Sequence, residues 1–143
     1  MQESGRGLYS PDMNILYAAH SGLRYLVLLA GLVAIAYFVY GLATKQSAGR
    51  ATRIVGSSFV GLLDTQVLLG IVLLTMFPFY PALIGHIVMM VAAAAVAHVA
   101  MVMNRRRATP GFVLPLVGVG GALLLILGGI MAIGRGPFTS TVG

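Results

Sequence analysis

Apolar residues run almost unbroken through four stretches, residues 17–42, 54–76, 82–103 and 112–133, and polar residues gather in the gaps between them. Each stretch is long enough for a helix to cross a hydrocarbon layer of about 30 Å, which takes about 20 residues. Excess length in the first can be taken up by tilt. The gap at residues 43–53 holds Lys45, Gln46, Ser47, Arg50 and Arg53. The second gap is Phe77-Pro78-Phe79-Tyr80-Pro81, a proline turn whose aromatics suit the interfacial layer. The third, residues 104–111, carries Arg105, Arg106 and Arg107. Gaps this short make successive helices antiparallel, so the pattern predicts an all-α, up-down-up-down membrane bundle forming a single domain over residues 1–143.

Composition agrees. Charged residues make up 8% of the 143-residue chain and hydrophobic ones 59%, whereas a soluble domain carries about a quarter charged residues. Cysteine is absent, which excludes disulfides, thiolate metal sites and covalently attached c-type heme. The formal charge of +6 records membrane orientation rather than nucleic-acid binding. Lys45, Arg50, Arg53 and Arg105 to Arg107 fall at one end of the bundle. Arg6, Arg24 and Arg135 fall at or toward the other. Basic excess marks the cytoplasmic side, so both termini are expected outside, in a bacterial inner membrane. Residues 1–13 are polar and glycine-bearing, unlike a cleavable signal peptide, and are expected to form a short interfacial tail.

Against this apolar ground the ionisable residues stand out, because such groups are costly in lipid and usually functional. His20 and His86 lie in the outermost turns of the first and third spans, which run in the same direction. Their imidazoles are expected at matched depth on facing sides of the bundle core, the arrangement a b-type heme needs for two axial ligands. Arg24 shares a face with His20 at four-residue spacing and can pair with a heme propionate; its alternative is snorkelling to headgroups. For the two histidines the alternative is hydrogen bonding to backbone or headgroups. Gly31 offers room for a flat macrocycle. Met89 and Met90 follow His86 by three and four residues, but methionine in an apolar helix is chiefly packing material. The tyrosines near span ends form an interfacial belt, with quinone or pigment contact left open.

His98 follows His86 by twelve residues, a rotation of about 120° and a drop of about 18 Å, so the two cannot share one heme. Asp64, mid-span in the second stretch, lies near His98 in depth, with Gln66 two residues on. A buried carboxylate is neutral or partnered, and an Asp64–His98 polar pair or proton relay including Gln66 is one reading. Small residues at four-residue spacing (Ser57 and Gly61, Gly118 and Ala122, Gly128 and Ala132) let helices approach closely in lipid.

The stretch His20-Ser21-Gly22-Leu23-Arg24-Tyr25 before an apolar span resembles the opening of small four-helix bacterial membrane proteins described as cytochrome b-like. In that family the second helix carries His-x-Gln followed by a glycine, and the third begins around Glu-His-x-x-Met-Met and ends with a histidine before a basic loop. Here these positions read Asp64-Thr65-Gln66 with Gly70, Gly85-His86-Ile87-Val88-Met89-Met90, and His98 before Arg105. The resemblance covers the three leading spans. It implies one heme b held by His20 and His86, in an electron-transfer subunit or partner of a larger respiratory or photosynthetic complex. Asp64 stands where the family has histidine, so a ligand through the second helix is lost. Two other classes compete: a cofactor-free structural or accessory subunit, and a small proton-coupled transporter using Asp64 and His98. No nucleophile-and-base set or phosphate loop points to an ordinary enzyme.

Overall fold

The computed structural model describes residues 10–134. Arg6, Arg135 and most of the N-terminal tail lie outside the described residues. Four helices account for nearly all of the rest: α1 (Pro11–Ala43), α2 (Arg50–Met76), α3 (Ala82–Arg106) and α4 (Val113–Ala132). All four are long and apolar enough to cross a membrane. The molecule is an all-α, integral membrane four-helix bundle.

Local chemistry sets each boundary. α1 begins earlier than the apolar run because Ser10 caps it, its hydroxyl accepting from the Met13 N–H at 3.4 Å, with Pro11 and Asp12 in the first turn. Residues 11–13, expected in the tail, are therefore helical. Lys45 takes a left-handed conformation (φ 53°) as the chain leaves α1. α2 stops at Met76 because Phe77 precedes Pro78, and a residue before proline is pushed out of the helical region. Between α3 and α4, the Asn104 side chain grips Gly111 twice. Its amide donates to the Gly111 carbonyl and its oxygen accepts from the Gly111 N–H, both at 3.0 Å.

The helices stand in a ring, α1–α2–α3–α4, with α1 and α3 on one diagonal. α3 and α4 pack most closely; α2 and α3 touch least among the neighbours. Small residues make the tight seam: Gly118 of α4 sits directly against Ala100 of α3, and Gly129 against Met90 and Met89. Toward the basic loops the interior is solid. Phe38 and Phe59 are fully buried there, and Phe38 and Tyr37 pack against Phe112 with ring centroids 6.5 and 6.1 Å apart. Gly31 belongs to this packing. A Cβ there would lie 2.6 Å from the Leu123 side chain, so the expected macrocycle slot is filled by α4. Outward faces carry exposed Leu, Ile and Val, from Ile15 to Leu124, as a lipid-solvated surface requires.

Candidate functional site

The opposite end of the bundle is hollow. A cavity of about 450 Å³ lies there among all four helices and the 77–81 turn, within the usual size of a small-molecule site. His20, Ser21 and Arg24 reach it from α1, Gln66 and Gly70 from α2, His86 and Met90 from α3, and Ile126 and Ile130 from α4. Ile71, Leu74 and Val91 line its edge and are themselves exposed on the bundle surface. The cavity therefore opens sideways toward lipid between α2 and α3. Tyr17 and Phe77 form its aromatic rim, with ring centroids 5.7 Å apart.

Packing explains why each polar side chain sits where it does. His20 lies against α2 because Gly70 leaves space: a Cβ at position 70 would come within 3.2 Å of His20 Cε1. One turn earlier on α2, buried Gln66 donates from Nε2 to the His20 carbonyl oxygen at 2.7 Å. The spacing of Gln66 from Asp64 turns it about 200° around the helix, so it joins the cavity rather than the Asp64–His98 pair. His86 is fixed from the other side. Its Nδ1 lies 2.9 Å from the Gly129 carbonyl oxygen, which can only accept, so Nδ1 carries the proton and Nε2 is left as a lone-pair donor. Metal-bound histidines are commonly oriented in this way. Both imidazoles line the same cavity. Arg24 is 8% exposed despite its charge; its Nη2 donates to the Tyr25 hydroxyl at 2.9 Å, and the guanidinium carbon lies 4.7 Å from the Tyr25 ring centroid.

His20 Nδ1 and Gln66 Oε1 are buried at this site with no hydrogen-bond partner among the described residues. Buried polar atoms are nearly always satisfied. Both belong to residues lining the cavity, so they mark it as polar where it is not greasy.

Asp64 and His98 do meet, but elsewhere. His98 Nε2 lies 2.8 and 2.9 Å from the two carboxylate oxygens of Asp64. The pair is not buried: the side chains are 42% and 51% exposed, on the α2–α3 flank facing lipid. The expectation of a buried carboxylate is corrected in that respect. Of the small-residue pairs, Gly118 and Gly128 meet α3, whereas a Cβ at Gly61 would touch nothing. Among the described residues no group of three or more His, Cys, Asp or Glu could hold a bare metal ion.

Sequence reasoning brought His20, His86 and Arg24 to this end of the bundle. It missed the Gly129 carbonyl that orients His86. A backbone acceptor leaves no trace in residue type, so nothing in the chain could have found it. The Gly70–His20 approach had one faint signal, the glycine four residues after Gln66.

No protein-family model matches the chain, and no match emerged among curated proteins or solved structures. What the fold and the cavity define is a class, a small four-helix membrane protein with two histidines facing one lateral cavity.

Proposed function

We propose that the protein is a small cytochrome b-like electron carrier in which His20 of α1 and His86 of α3 would hold one heme b. The observation that carries this reading is that the two histidines, on diagonal helices, line one cavity, with His86 already held by Gly129 so that Nε2 is the free ligand atom. The residues fit such a group in three further ways. His20 keeps a buried ring nitrogen, Nδ1, without a hydrogen-bond partner among the described residues. Gly70 leaves the imidazole its space. Arg24, in the same cavity, supplies a cation for a propionate.

One-electron exchange is the chemistry a bound heme supplies. The chain's own part is to orient two imidazoles, keep the apolar walls dry and neutralise acid groups near the interface. The described loops (44–49, 77–81 and 107–112) are too short to build a substrate domain. The electron partner is therefore another membrane subunit of a respiratory or photosynthetic complex, or a quinone. We place the termini on the non-cytoplasmic side of a bacterial inner membrane, because the basic residues cluster at the other end.

The test is the visible spectrum of purified protein, oxidised and reduced. A sharp α band on reduction is expected, and it should vanish in both His86→Ala and His20→Ala. Protein expressed with ample heme and still colourless would overturn the reading. The runner-up, a cofactor-free accessory subunit, draws support from Asp64 standing where the resembling family has histidine. The Asp64–His98 contact favours a third reading, proton-coupled transport; unchanged flux in Asp64→Asn would remove it.

A further inference from the structure

The Asp64–His98 pair poses a problem that the cavity does not solve. It sits within the apolar length of α2, about 15 Å along the helix from Ile54, and it faces outward. A carboxylate and an imidazole turned toward lipid are unfavourable unless another polar surface covers them. Their mutual hydrogen bonds use one nitrogen of His98. Nδ1 makes none among the described residues, and the carboxylate oxygens keep unused lone pairs.

We infer that this α2–α3 flank is the contact between two copies of the chain, related by a twofold axis normal to the bilayer. Both copies insert with the same topology, so rotation about such an axis brings each pair to the depth of the other. The pair is itself donor beside acceptor, and its twofold image lies in the reverse order, so the surface is complementary to itself. The backbone around it suits close approach. Gly61 lies one turn from Asp64, flanked at four-residue spacing by exposed Ser57 and Thr65. A Cβ at Gly61 would meet nothing, whereas Gly56 and Gly118 are filled by Met101 and Ala100 of the same bundle. The hydroxyls of Ser58 and Thr65 are turned back onto the Ile54 and Gly61 carbonyls, which leaves a low surface rather than a protruding one. Small residues with a polar group amid them are the usual means of helix association in lipid, where apolar area alone gives no drive.

The chain has no cysteine, so single cysteines report without background. Full-length protein carrying Ser57→Cys would be oxidised in native membranes and in lipid-diluted vesicles, beside Leu124→Cys, whose side chain is 72% exposed on the remote face of α4. A crosslinked species of twice the monomer mass is expected for Ser57→Cys and not for Leu124→Cys. Adding Asp64→Leu and His98→Leu together should weaken association about tenfold, the scale of one or two interhelical hydrogen bonds in lipid. Equal crosslinking at both cysteines, or adducts to a different protein alone, would overturn the inference. So would association indifferent to the double substitution in protein whose helicity is unchanged. Should the double variant fail to insert, the Ser57→Cys and Leu124→Cys comparison stands by itself, because both retain the native pair. None of these readouts involves heme, so their failure and a colourless protein are separate results.

Discussion

The two ends of the bundle solve different problems with the same apolar alphabet. Toward the basic loops, Phe38, Phe59 and Phe112 fill the centre, and the Asn104–Gly111 grip ties the last turn. Toward the termini the same helices part around a cavity edged with His20, Arg24, Gln66 and His86. Hydrophobicity does not distinguish the ends; side-chain volume and the placing of a few polar groups do. Close packing at one end holds the helices at fixed rotation, and this permits a hollow with polar groups at the other.

That contrast can be broken most severely at the solid end. Phe59→Ala should cost about 2–3 kcal/mol of stability. This is the low part of the range for large core truncations, because the lipid-exposed reference state is itself apolar and mainly the cavity term remains. Unfolding in mixed detergent micelles would measure it. Gly118→Ala comes next. Its new Cβ would stand 2.4 Å from Ala100 Cβ, a rigid neighbour, so α3 and α4 must separate at about 1–3 kcal/mol. Asn104→Ala deletes both bonds to Gly111 and should cost about 1–2 kcal/mol by the same assay. At the hollow end the expectation reverses. Val67→Phe, projecting from a half-buried wall position, should change stability by less than about 1 kcal/mol while eliminating the reduced α band. A large destabilisation there would show that the cavity wall tolerates no added volume and would dissolve the distinction between the ends.

Spans, helix order and the gathering of His20 with His86 at one end were legible because they depend on length and depth, which the chain states openly. Rotation about each helix axis was not. In water an apolar stripe tells which face is inside, but in lipid nearly every face of α2 and α3 is apolar, so the stripe is lost. Hence the outward turn of Asp64 and His98, the filling of the Gly31 notch by Leu123 and the Gly129 carbonyl behind His86 went unseen. Gln66 is the exception. It was grouped with Asp64 and His98, although two residues apart on a helix means nearly opposite faces, so the spacing could have separated it from them.

The weak seam between α2 and α3 has a mechanical meaning. α2 and α3 touch least among the neighbouring helices, and among the described residues a side-chain clasp, Asp64 to His98, joins them. The bundle is thus a clip more than a closed ring, with α1 and α4 as its spring and the cavity just beyond the catch. Of the four seams this one is held by the least packing, and it lies beside the cavity.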